Sequence, residues 1–163
     1  MNCPACGAPM HPVGDHLQCD YCRNVVVPDA DEDGVRVLAP SPDKSCPVCS
    51  VPLNQAALAD TQILYCSKCH GELVGMTILQ PLVDELRVRQ GGKTAVQPPA
   101  GAHDLERRIA CPACHQTMDA HYYAGPGNVV LDSCETCELI WLDRGELAHI
   151  AHAPDSFSAE ADG

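Results

Sequence analysis

A small, β-rich, metal-stabilised fold made of three tandem four-cysteine ribbons is predicted by three features of the 163-residue chain. Its twelve cysteines form six Cys-x-x-Cys pairs without remainder. The pairs fall in order into three sets of four: Cys3, Cys6, Cys19 and Cys22; Cys46, Cys49, Cys66 and Cys69; Cys111, Cys114, Cys134 and Cys137. Large core-forming side chains are scarce, with one Trp, one Phe and four Tyr against 12 Gly and 14 Pro. Units with so little apolar surface need a staple to offset chain entropy. Two pairs separated by a hairpin bring four thiolates to one tetrahedral ion, the arrangement of a zinc ribbon, so three structural Zn2+ ions are the expected cofactors.

A disulfide framework is the other use of so many cysteines. The opening Met1-Asn2-Cys3-Pro4-Ala5-Cys6 has no basic start, apolar signal run or small-residue cleavage site, and no apolar stretch suggests a membrane span. A cytoplasmic location is therefore expected, where thiols stay reduced and free to bind metal. Iron is the rival ion, because four thiolates also hold it in rubredoxin-like carriers. The scarcity of aromatic residues around three sites favours zinc.

Charge limits the partners. The formal net charge is −12, and each filled four-thiolate site adds two further negative charges, so three bring the chain to −18. Only ten Lys and Arg residues are available to displace counterions from a phosphate backbone, so direct nucleic-acid contact is disfavoured.

Residues 1–27 read as the first ribbon. Cys3-Pro4-Ala5-Cys6-Gly7 is a knuckle, with Pro fixing one dihedral and Gly accepting a left-handed one. A hairpin turning near Val13-Gly14-Asp15 leads to Cys19-Asp20-Tyr21-Cys22, and Val25 to Val27 continue as a strand. Residues 28–45, with their acidic run and Pro40 and Pro42, read as a linker holding a possible short strand at Val35 to Leu38.

Residues 46–90 read as the second ribbon plus a helix. Ile63, Leu64 and Tyr65 form the returning strand, and Leu79, Leu82, Val83 and Leu86 repeat at helical spacing with Pro81 in the first turn. That stripe either packs on a ribbon or offers a docking face. Residues 91–106 read as a Gly/Pro linker. Arg107 and Arg108 read as a solvated strand edge.

Residues 107–153 read as the third ribbon plus a capped helix. Gly125-Pro126-Gly127-Asn128 makes the hairpin turn and Val129 to Asp132 the returning strand. Asp143 and Glu146 have the spacing of a reciprocal cap, after which Leu147, Ile150 and Ala151 fold back beside Trp141. Residues 154–163 read as a disordered acidic tail.

The stretch from Cys111 to Ile150, with Val130-Leu131-Asp132, Cys134-x-x-Cys137 and Trp141-Leu142-Asp143-Arg144-Gly145-Glu146-Leu147, resembles the bacterial transcription factor IIB zinc-ribbon-like zinc-finger family. Residues 46–89 resemble it more loosely, with Leu73 where the family has Trp and Gly75 where it has the capping Asp. Residues 1–27 resemble a generic zinc ribbon. The resemblance implies a zinc-binding fold and no particular activity.

Each cysteine quartet is complete, so no coordination position stays open for catalytic water, and no nucleophile–base pair or phosphate-cradling loop can be assembled. His70 and His115 follow ligand cysteines, and His149 and His152 lie three apart on the last helix; these read as supporting or solvated residues rather than ligands. The expectation is a non-enzymatic protein-interaction or regulatory module, with transcription-associated protein contacts among its candidate roles and Trp141, Leu142 and Leu147 as the candidate interaction surface. A thiol- or metal-handling protein and a nucleic-acid-binding regulator are the alternatives.

Overall fold

The computed structural model describes residues 1–91, 105–123 and 129–153. Most of the Gly/Pro linker, the turn at 125–128 and the acidic tail therefore lie outside the described residues. The chain divides into two compact units, Met1–His70 and Gly71–Gly163.

The first unit holds two antiparallel arrays. Strands β1 (Met10–Val13), β2 (His16–Cys19) and β3 (Val25–Val26) form one, in that order. Val13 pairs with His16, leaving Gly14 and Asp15 as a two-residue turn, and Gly14 takes a positive φ of 57°. The other contains β4 (Arg36–Ser45), β5 (Pro52–Leu58) and β6 (Thr61–Tyr65). Leu58 pairs with Thr61, so Ala59 and Asp60 make the tight turn with φ of 50° and 54° despite the absence of glycine.

The segment 28–45, expected as a linker, is instead structural. Asp31 accepts the N–H groups of Asp33 and Val35, both at 2.9 Å, and Tyr65 Oη donates to its other oxygen at 2.7 Å. The side chain thus folds the acidic run into a turn rather than leaving it solvated. The possible short strand becomes ten residues long. Pro40 and Pro42 are tolerated because β4 pairs only with β5 in this unit and its register shifts between Val37 and Ala39 and between Ser41 and Ser45. Leu17 from β2 packs with Leu38 from β4 and Ala57 from β5, flanked by Met10 and Val26. The first ribbon therefore shares a core with the strands of the second, where sequence suggested separate beads.

In the second unit, β7 (Glu72–Gly75), β8 (Asp119–Tyr122), β9 (Val130–Cys134) and β10 (Leu139–Leu142) form an antiparallel array in the order β7-β10-β9-β8. Helix α1 covers Met76–Arg89 and α2 covers Glu146–His152. Helix α1 starts five residues before Pro81, so the proline sits in the second turn and not the first. Its Met76 N–H is satisfied by the Glu138 carbonyl at 2.9 Å, which replaces the missing cap at Gly75. Leu79, Leu82 and Val83 are buried, which favours packing over docking for this stripe. The helices are tied by Arg87, donating to the Ile150 carbonyl at 3.2 Å, and Gln90, donating to that of Ala151 at 2.6 Å.

The β7–β10 pairing joins equivalent positions. Leu73 and Trp141 each stand four residues after the last cysteine of their quartet, and they are direct partners. The two strands are thus related by a local pseudo-twofold axis through this pair. One large ring fills the centre: Trp141 is fully buried, and it lies where a Cβ on Gly71 would meet its Cζ2 at 2.1 Å. A second Trp at position 73 would have to share that space, a physical reason for Leu there.

No helix among the described residues is long and apolar enough to cross a membrane. Because Gly71 is required for space rather than for a left-handed φ, Gly71→Ala is expected to lower stability by roughly 1–3 kcal/mol through overpacking. Thermal denaturation monitored by Trp141 fluorescence checks this, and an unchanged midpoint would refute the packing argument.

Candidate metal centres

Five of the six knuckles share one local device, and in the sixth the Glu138 N–H bonds instead to the Glu135 carbonyl at 3.4 Å. The N–H of the residue after a knuckle bonds back to the carbonyl of its first cysteine: Gly7 to Cys3 at 2.8 Å, Arg23 to Cys19 at 3.1 Å, Ser50 to Cys46 at 2.9 Å, His70 to Cys66 at 2.8 Å and His115 to Cys111 at 2.9 Å. The residue closing each turn is left-handed in all six knuckles, with φ of 77°, 63°, 61°, 61°, 63° and, at Glu138, 55°. Only Gly7 adopts this conformation without cost; at the others the strain of roughly 1–2 kcal/mol must be offset by the turn and the site. Sequence reasoning identified Gly7 alone, because Arg, Ser and Glu carry no intrinsic left-handed signal and His carries only a weak one.

These turns aim backbone N–H groups at sulfur. Val48 and Cys49 donate to Cys46 Sγ at 3.4 and 3.3 Å, Cys69 to Cys66 Sγ at 3.5 Å, and Ala113 to Cys111 Sγ at 3.4 Å. Asn24 Nδ2 approaches Cys3 Sγ at 3.8 Å. Such donors stabilise thiolate and orient it.

The ligand atoms of each quartet lie within 4.8 Å of one another. Sulfur–sulfur distances are 3.5 Å for Cys3–Cys22 and Cys6–Cys19, and 3.7 Å for Cys46–Cys69 and Cys114–Cys134. A tetrahedron with Zn–S bonds of about 2.3 Å has an edge of about 3.8 Å, whereas a disulfide needs about 2.05 Å. All twelve cysteines are free thiols. Without an ion such a cluster resists complete ionisation: Cys137 is pushed up to about 12, first by its contact with Cys114 and then by burial, while Cys114 in the same quartet is lowered, first by the Gln116 backbone N–H. A divalent ion reverses that preference, so the donor set fits Zn2+ held by Cys3, Cys6, Cys19 and Cys22, by Cys46, Cys49, Cys66 and Cys69, and by Cys111, Cys114, Cys134 and Cys137.

The quartets share a polarity. The first cysteine of every pair is buried and the second faces outward. The outer two are exposed in the first quartet, at Cys6 and Cys22, but only partly exposed in the others.

The histidines beside the ligands serve elsewhere. Tyr65 Oη, already donating to Asp31, receives His70 Nδ1–H, and His115 is exposed. His152 Nδ1 bonds the Ala148 carbonyl at 2.8 Å. A further group, Asp31, Asp33 and His70, brings potential ligand atoms within 4.8 Å, but Asp31 uses both oxygens in the turn just described.

The third centre is buttressed by a charged network that sequence reasoning placed in solvent. Arg107 bridges Asp132 at 2.7 Å and Asp143 at 2.6 Å. Asp143 also accepts Trp141 Nε1–H at 3.2 Å. The expected reciprocal cap is therefore half made: Glu146 accepts the Asp143 N–H at 2.7 Å, while the Asp143 side chain is engaged by Arg107 and Trp141. Gly145, with φ of 84°, precedes the helix instead. Trp141, Leu142 and Leu147, expected as an interaction surface, are 0%, 0% and 3% exposed. They are core because β10 is flanked by β7 and β9, and because α2, which packs on α1, turns Leu147 inward with Ile150 and Ala151.

Residues 110–153 match the family described as transcription factor zinc-finger. That segment is similar to a zinc ribbon of this kind, the resemblance its motifs carry. No curated protein and no solved structure gives a significant match to the chain.

Elemental analysis of the purified chain should return three equivalents of zinc, and a strong chelator should abolish folded dispersion in its NMR spectrum. Retention of the fold after complete removal would contradict the staple role. A second test addresses Glu146. Burial pushes its carboxyl up to about 8, with Asp143 and Asp132 adding to the shift and the Asp143 N–H and Arg107 opposing it. The folded state thus holds this proton between the ordinary value of 4.5 and about 8, so its stabilising contribution is complete below that window and lost as pH rises through it. Glu146→Gln keeps the acceptor for Asp143 N–H and cannot ionise. The stability difference between wild type and Glu146→Gln, followed by denaturant titration, should move against the wild type across that window; a flat difference would show the carboxyl ionised throughout.

Proposed function

We propose that the chain is a non-catalytic, zinc-dependent module that docks protein partners in the cytoplasm through its first ribbon. The observation that carries this is Tyr21, 84% exposed between the ligands Cys19 and Cys22, with Val25 and Val27 46% and 54% exposed beyond the knuckle. An aromatic ring on a turn fixed by a metal presents large apolar area at low entropic cost, the usual character of a contact hot spot. The net charge of −12 favours partners with basic rims and opposes phosphate backbones. Complete sulfur quartets supply structure rather than an open site for chemistry. The match of residues 110–153 to a transcription factor zinc-finger supports an association with transcription made through protein contacts.

The test is affinity capture with the zinc-loaded wild type and with Tyr21→Ala/Val27→Ser, whose zinc content should be unchanged. The variant is expected to lose protein partners that the wild type retains. Identical partner sets would rule out this surface, and tight, sequence-dependent DNA binding at physiological salt would replace docking with direct readout.

A further inference from the structure

We propose that the first quartet is a peroxide-sensitive thiol site, oxidised and emptied of metal before the other two. All three quartets are four-sulfur sets of similar geometry, so what separates them is access. Cys6 and Cys22 are exposed, whereas Cys49, Cys69, Cys114 and Cys137 are only partly so. Oxidation of cysteine follows thiolate character and exposure, and a bound dication keeps the sulfurs as thiolates at neutral pH.

The surroundings reinforce the difference. The array holding the first quartet has strands of four, four and two residues, and it packs through Leu17, flanked by Met10 and Val26, onto Leu38 and Ala57 of β4 and β5. Small, thinly covered elements open most readily. A polar cleft of about 270 Å3, lined by His11, Gln18, Cys19, Asp20 and Arg23, opens beside this quartet. Each exposed sulfur also has a buried neighbour ready to resolve it: Cys19 lies 3.5 Å from Cys6, and Cys3 lies 3.5 Å from Cys22.

The chemistry balances with a hydroperoxide as oxidant. An outer thiolate, Cys6 for instance, attacks one peroxide oxygen; an S–O bond forms, the O–O bond breaks, and the departing hydroxide takes a proton to become water. Cys19 thiolate then attacks the Cys6 sulfenic acid; the S–S bond forms, the S–O bond breaks, and a second hydroxide leaves as water with a second proton. The sulfur pair loses two electrons and the peroxide gains them. With two sulfurs withdrawn, two protein ligands remain and Zn2+ is released.

The full chain loaded with three zinc equivalents is treated with one equivalent of hydrogen peroxide. A chromogenic chelator follows zinc release, and differential alkylation with mass spectrometry follows each cysteine. The expected result is loss of one zinc equivalent before the other two, with a disulfide confined to Cys3, Cys6, Cys19 and Cys22 and the remaining eight cysteines still alkylated after denaturation. Dithiothreitol and added zinc should restore the starting state. Oxidation spread evenly over the three quartets, oxidation beginning in the second or third, or retention of all three ions would each overturn the proposal. Cys6→Ser/Cys22→Ser should remove the fast phase and leave the slower two; since the wild-type cysteine map decides by itself, misfolding of that variant does not rescue the idea.

Discussion

Four sulfurs drawn to within 4.8 Å of one another, three times over, are the constraint on which this structure rests. Apart from Trp141 and Tyr65, the largest fully buried side chains are aliphatic or Met118, and much of the β-structure consists of strands of two to five residues. Hairpins that short are marginal in water. Convergence on an ion holds both ends of each hairpin and sustains the left-handed turns at Arg23, Ser50, His70, His115 and Glu138. The ion is as much part of the fold as the strands are.

From those fixed ends the chain builds outward differently in its two units. In the first, the acidic turn at Asp31 and the proline-bearing strand β4 give the first ribbon a shared core through Leu17, Leu38 and Ala57. In the second, β7 and β10 pair around Leu73 and Trp141, so the segments following the second and third quartets form a pseudo-symmetric pair inside one chain. That symmetry is broken at its centre by a single indole, which needs Gly71 on one side and the Asp143–Arg107–Asp132 network on the other.

Burial divides the surface by role. The ring that looked most like a contact residue, Trp141, serves as the hub of the second unit, while Tyr21 on the second knuckle of the first ribbon is 84% exposed. The exposed sulfurs Cys6 and Cys22 belong to the same quartet as that knuckle. Docking and thiol chemistry would consequently meet at one ribbon, and a partner seated on Tyr21 would alter access to Cys22.

Cysteine spacing by itself determined the ligand sets, because Cys-x-x-Cys pairs separated by a hairpin leave few other ways to satisfy twelve thiols; strand residues such as Ile63 to Tyr65 and Val130 to Asp132 were legible from their β-branched and aliphatic runs beside them. Tertiary structure alone decided the rest. Whether Trp141 is surface or core depends on β7 arriving alongside β10, and whether residues 28–45 are linker or strand depends on Tyr65 and β5, far along the chain. Local sequence encodes turns and chelation, which act over a few bonds or fixed spacings; burial and pairing arise from contacts whose partners are remote, and no short window of residues contains them.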